Sequence, residues 1–154
     1  MAHLATAAVG GVTTVSGCSM DKDPWRDVPA VEARLIDELK LPDRVANAYH
    51  WGGYLDYAWN GRRKVFVDGR NQLFENGAFE DAQRLSQLVD WTDVLDRNAI
   101  NTVLWERGSP LDWALSRSAD WLLVRRGRIA VVYTRREPIL VLARPEAAAS
   151  GAQY

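Results

Sequence analysis

The stretch NTVLWERGSPLDWALSRSADWLLVRRGRIAVVYTRR, residues 101–136, carries the alternation of elements from which the fold is read. It opens on "NTVLWE", a short apolar run rich in strand-forming residues. Ser109-Pro110-Leu111-Asp112 then supplies an N-cap hydroxyl, a proline at the first helical position and an acid at the capping-box position. "PLDWALSRS" therefore reads as a helix. "DWLLVRR" and "RIAVVYTRR" flank Gly127, and this spacing predicts a β-hairpin whose tight turn takes a positive φ at that glycine. The basic tip "RRGR" at 125–128 reads as solvated, with contact to anionic lipid head groups as its alternative. "PILVLA" beyond it extends or caps the hairpin and falls far short of membrane-spanning length.

Upstream, the same logic finds helices and short strands in turn. Pro29 suits a first helical turn, and Val31, Leu35 and Leu39 recur at i, i+4, i+8 with Ile36 beside them. Pro42 is read as the stop of that helix. "RVANAY" is a candidate strand, and "KVFVD" at 64–68, with β-branched residues on both sides of Phe66, reads as a buried one. Phe79, Ala82, Leu85 and Leu88 fall at helical spacing over "NGAFEDAQRLSQLVDW", and Val94 and Leu95 begin a second short piece. The expectation is an α/β fold: a small mixed sheet of short strands flanked by helices and closed by the C-terminal β-hairpin. Residues 21–144 are read as one domain. Residues 145–154 are read as a loose tail, and 1–20 as a flexible apolar tail or the remnant of a membrane or signal segment.

Composition removes several function classes. The chain of 154 residues is 47% hydrophobic and 25% charged, ordinary for a folded domain. Its net charge of -1 excludes nucleic acid as a main partner, since phosphate binding draws on a surplus of Lys and Arg. Cys18 is the lone cysteine and His3 and His50 the lone histidines, so neither an internal disulfide nor a Cys/His zinc site is expected. No Walker loop, dinucleotide-binding glycine motif or nucleophile elbow is present, and no cofactor is expected. Val15-Ser16-Gly17-Cys18 resembles a lipobox, which makes Cys18 the lipidation candidate, although the basic n-region of a signal peptide is missing.

Two places are candidates for chemistry. His50, beside Trp51, reads as a hydrogen-bonded residue at a strand end, with acid–base work as the alternative. Asp68, Gly69 and Arg70 follow "KVFV", where polar groups past the carboxyl end of a strand tend to line a crevice. Gly69 permits the turn and Arg70 offers a planar donor fork. The alternative there is a turn in which Asp68 and Arg70 tie neighbouring loops by salt bridges.

Taken together, "RVANAYHWGGYLDYAWNGRRKVFVDGRNQLF" and the later order of "NTVLWE", "LDWAL", Asp120-Trp121 and "IAVVYTRR" resemble the extracytoplasmic C-terminal domain of bacterial multi-spanning GT-C-type glycosyltransferases. These belong with the protein mannosyltransferases and the glycosyltransferase 39 group, and the likeness covers roughly residues 28–136. It implies a family whose donor is a polyprenyl-phosphate sugar and whose catalytic acid sits on a loop between membrane helices. That loop has no counterpart here, so the resemblance carries over a motif and no catalytic residue: Trp51, Gly52, Gly53 and Tyr54, with Asp68, Gly69 and Arg70. The expectation is a non-catalytic, structural or acceptor-positioning domain at the extracytoplasmic face of a bacterial membrane. Its partners would be a membrane-embedded glycosyltransferase portion, the membrane surface or a glycan acceptor. The alternatives are a free-standing carbohydrate- or small-ligand-binding protein, lipid-anchored or not, and a small hydrolase or transferase using Asp68 and His50.

Overall fold

Val103, Leu104 and Trp105 are all buried, as the centre of a strand paired on both sides must be. They belong to β2 (Thr102–Glu106), which lies between β1 (Val45–Asn47) and β4 (Ala130–Arg135), while β3 (Trp121–Arg126) forms the far edge. The sheet order is β1-β2-β4-β3. β1 runs parallel to β2, and β2–β4 and β4–β3 are antiparallel. The computed structural model that gives this arrangement describes residues 26–68 and 77–140. The readings of residues 1–20, Cys18, Gly69, Arg70 and 145–154 lie outside the described residues.

Five α-helices complete the described part: α1 (Ala30–Glu38), α2 (Gly52–Trp59), α3 (Ala78–Gln87), α4 (Trp91–Arg97) and α5 (Pro110–Arg117). Their distribution follows from strand alternation at one point. Arg125 and Arg126 are adjacent ladder residues of β3, facing Val132 and Val131, so their side chains leave opposite faces of the sheet. Arg125 Nε reaches Glu32 Oε1 of α1 at 3.1 Å, whereas Arg126 Nη1 reaches Asp112 Oδ2 of α5 at 2.7 Å. α1 and α5 therefore cover opposite faces. α2 packs against α1, and α3 packs against both α4 and α5. The fold is a mixed α/β sheet with helices on both sides, as the alternation of elements implied.

Four local expectations are corrected. The apolar face of α1 is Ala33 and Ile36 with Glu32 between strands and helix, while Val31 and Leu39 are exposed. The i, i+4, i+8 row was one helical stripe away from the buried one. α1 also ends before Pro42: Lys40 turns left-handed (φ 49°), and the Leu41 N–H donates to the Ile36 carbonyl. The segment "KVFV" makes only a single parallel bridge, Val65 to Val45. The Asn47 side chain intercepts the rest, with Oδ1 accepting from the Phe66 N–H at 2.9 Å and Nδ2 donating to the Val67 carbonyl at 2.9 Å. Gly127, finally, is absent from the positive-φ positions. A Cβ there would lie 1.9 Å from Glu32 Oε1, so the glycine serves close approach of a buried carboxylate. The "RRGR" tip is accordingly more than a solvated turn, since two of its arginines hold helices.

The core gathers Ile36, Leu55, Trp59, Leu85, Leu95, Leu104, Leu111 and Tyr133 around both faces of β2 and β4. Each fully buried Leu or Ile there contributes about 1.5–3 kcal/mol of transfer free energy. Two of the buried indoles donate to backbone carbonyls: Trp51 Nε1 to Asp27 at 3.0 Å and Trp59 Nε1 to Ala33 at 3.2 Å. Among the described residues no helix is long and apolar enough to cross a membrane.

Candidate functional site

The glycine-aromatic signature is built at the carboxyl end of β1. Asn47, the last residue of the strand, is fully buried and fixes the 65–67 segment through its amide as described. The chain then makes a 3-10 turn, Tyr49–Trp51, and enters α2 directly at Gly52. That geometry drives the start of α2 onto the end of the returning segment. A Cβ on Gly52 would stand 2.1 Å from the Val67 carbonyl oxygen and 2.6 Å from Asp68 Cα. Gly53, one position on, has nothing within 4 Å of its virtual Cβ. Only the first glycine of the pair is required for close approach.

The remaining signature residues divide between core and surface. Trp51 is buried, stacked at a tilt on His50 with ring centroids 4.8 Å apart. Tyr54 is half-buried in a groove shared with Arg34 and Asp37 of α1; burial pushes its phenol above the ordinary value, with the nearby Arg34 charge opposing. Asp68 is half-buried against Gly52. The structure thus brings Trp51–Tyr54 and Asp68 into one packed feature, and Gly69 and Arg70 fall outside the described residues.

A second arrangement, which the sequence did not connect, sits where the parallel strands β1 and β2 end. His50 follows β1, and Glu106 closes β2. His50 Nε2 lies 3.5 Å from Glu106 Oε1, both side chains being about half exposed. Arg107, Arg128 and Asp27 complete the rim of an open cleft of about 440 Å³. Both guanidinium groups are anchored on backbone: Arg107 Nη1 donates to the Gly127 carbonyl at 3.0 Å, and Arg128 Nη2 to the Arg26 carbonyl. The cleft mixes donors and acceptors in water, and among the described residues its lining holds no hydroxyl or thiol to act as a nucleophile. His50 has therefore a strand-end position, as read, and an acid partner 56 positions away that no local spacing could have announced. The only signal in the sequence was that His50 follows one strand and Glu106 closes another, which parallel pairing brings together.

Asp112 forms the most completely engaged polar cluster among the described residues. Ser109 Oγ accepts from the Asp112 N–H at 3.2 Å, as the capping motif predicts, but the carboxylate returns to the Gly108 N–H at 2.9 Å instead of the N-cap's own. Arg126 donates to both its oxygens (2.7 and 2.8 Å), and the Tyr133 hydroxyl donates at 2.6 Å. Burial alone would raise this carboxyl; the donors from Arg126, Tyr133 and Gly108 outweigh it and hold Asp112 below its usual range. The Tyr133 phenol is pushed up to about 12, by burial first and by its bond to Asp112 next. With both oxygens occupied and its side chain only 4% exposed, this carboxylate joins α5 to β3 and β4 and has no free acceptor for a ligand.

No family model, no curated protein and no solved structure matches this chain.

Proposed function

We propose that the chain is a non-catalytic accessory domain of the type found at the extracytoplasmic face of bacterial GT-C-type membrane glycosyltransferases. It packs on a membrane-embedded partner that uses a polyprenyl-phosphate sugar, or positions the glycan acceptor for it. The observation that supports this reading is the contact between the two halves of the signature. Gly52 and the Val67–Asp68 backbone are 15 and more positions apart in sequence yet meet at a distance only glycine permits. A two-part motif that closes on itself in this way marks a domain type, and its residues are engaged in holding the fold. The catalytic acid belongs, on this reading, to the membrane-embedded glycosyltransferase portion. The free-standing sugar-binding alternative asks for indole faces open beside Asp68; Trp51 and Trp59 instead turn theirs into the core.

Two measurements test the proposal. A photo-crosslinking residue in place of exposed Tyr57, installed in the native host, is expected to yield an adduct with a multi-spanning membrane protein. Membranes depleted of the chain should lose glycosyl transfer from a polyprenyl-phosphate sugar and regain it equally on adding wild type or a folded Asp68→Asn variant. No adduct together with undiminished transfer would overturn the accessory role. Turnover by the isolated chain that Asp68→Asn abolishes would overturn its non-catalytic character.

A further inference from the structure

At the amino end of β1, whose carboxyl end leads to the His50 cleft, the chain enters the strand through Asp43 and Arg44 and passes it again at Arg62–Phe66. Between these segments and the end of α4 lies a cavity of about 540 Å³. Four cations line it, Arg44, Arg62, Arg63 and Lys64, in a protein whose net charge is -1.

The cations are not equivalent. Arg63 is nearly buried and spent on the scaffold, donating to Asp37 Oδ1 at 2.7 Å, Asp43 Oδ1 at 3.0 Å and the Leu41 carbonyl at 2.9 Å. Arg62 pairs with the other oxygen of Asp37 at 3.0 Å. Both nearby carboxylates among the described residues, Asp37 and Asp43, are thereby engaged. Among the described residues Arg44 and Lys64 have no carboxylate within ion-pairing distance; Arg44 makes one hydrogen bond, to the Asn98 carbonyl at 3.3 Å. Arg44 also holds a left-handed backbone (φ 64°), a conformation L side chains rarely adopt. Its carbonyl accepts from the Asn101 N–H at 3.2 Å, which fixes that backbone at the mouth of the cavity. Val65, Phe66 and Ile100 supply apolar lining to the same cavity.

We infer that this cavity binds a phosphate monoester carrying an apolar group. Two cations with no carboxylate partner among the described residues match the roughly double negative charge of a phosphate monoester better than the single charge of a carboxylate. Arg44 and Lys64 offer a planar donor fork and a point charge, a combination suited to phosphoryl oxygens. The lining of Val65, Phe66 and Ile100 takes the apolar group. This site lies apart from the signature residues and stands whether or not the accessory role does.

The same chemistry comes in a soluble ester and in a lipid head group, and the test separates them. Hexyl phosphate, inorganic phosphate and hexanol are titrated against the protein while the amide resonances of Arg44, Lys64 and Phe66 are followed. In parallel, the protein is sedimented with phosphatidylcholine vesicles with and without phosphatidic acid. Hexyl phosphate is expected to shift those resonances and to bind at least tenfold more tightly than inorganic phosphate, and hexanol is expected to leave them unmoved. Arg44→Gln and Lys64→Gln, both exposed side chains, should each weaken binding about tenfold without changing the far-ultraviolet spectrum. Sedimentation that needs phosphatidic acid and is reversed by hexyl phosphate assigns the site to a lipid head group. Binding of the soluble ester without sedimentation assigns it to a soluble ligand. Resonances unmoved by millimolar hexyl phosphate with no vesicle binding, or binding unchanged in the Arg44→Gln/Lys64→Gln double variant, overturn the inference.

Discussion

At Gly52 and Gly53 two identical residues, adjacent in sequence, have opposite structural weights. The virtual Cβ of Gly52 overlaps the Val67 carbonyl, which the Asn47 amide also holds, so the neighbour has no room to yield. Gly52→Ala is expected to destabilise by about 3 kcal/mol, the upper range for forcing a methyl into a packed site. Gly53→Ala meets open space and restricts the unfolded chain, so it should be neutral or stabilise by about 0.5 kcal/mol. Urea unfolding of both variants checks the pair; equal losses would show that the close contact is not what the signature preserves. The sequence displayed the two glycines as a unit, because nothing local distinguishes a residue that meets the returning chain from one that faces solvent. Asn47 was hidden for the same reason. It reads as an ordinary polar residue in a strand, yet its side chain replaces ladder pairing for Phe66 and Val67, groups that would each cost about 1–3 kcal/mol if buried unsatisfied.

The β3–β4 hairpin was legible as an element and illegible as a device. Alternating apolar runs around a glycine located both strands, just as the capping pattern located α5, because those signals are local. What Arg125 does in the turn depends on Glu32, which lies 93 positions before it. The same distance explains Gly127, whose role follows from the buried Glu32 carboxylate pressed against it and not from its backbone angles. A coupling between the two is therefore expected. Gly127→Ala should cost about 2 kcal/mol by displacing Glu32 from Arg125, within the usual range for overpacking. Glu32→Ala should cost a similar amount by leaving Arg125 without its partner. In the double variant the added methyl occupies space the carboxylate has vacated, so the combined loss should fall short of the sum by at least about 1 kcal/mol. Strict additivity in a double-mutant cycle would mean that Gly127 answers to something other than Glu32.

For the whole molecule, the Asp112–Arg126–Tyr133 cluster sets how stability depends on pH, because it ties α5 on one face to both strands of the hairpin. Asp112 has a folded-state value below its ordinary 3.8, so its contribution is complete above that value and is lost as pH falls through the lower, folded one. Tyr133 runs the other way. Its value rises from 10.0 in the unfolded chain to about 12 in the folded one, so its contribution is complete below pH 10 and disappears between about 10 and 12. A shift of that size corresponds to about 2–3 kcal/mol across the window. Tyr133→Phe removes the ionising hydroxyl, so the difference in urea midpoint between wild type and variant should shrink steadily from pH 10 to pH 12. The same substitution takes one donor from Asp112, which lets burial raise its carboxyl toward the ordinary value and moves the acid transition to higher pH. Parallel midpoint curves at both ends of the pH range would show that the cluster does not govern either limb. A change at the alkaline end alone would assign the acid limb to carboxylates other than Asp112.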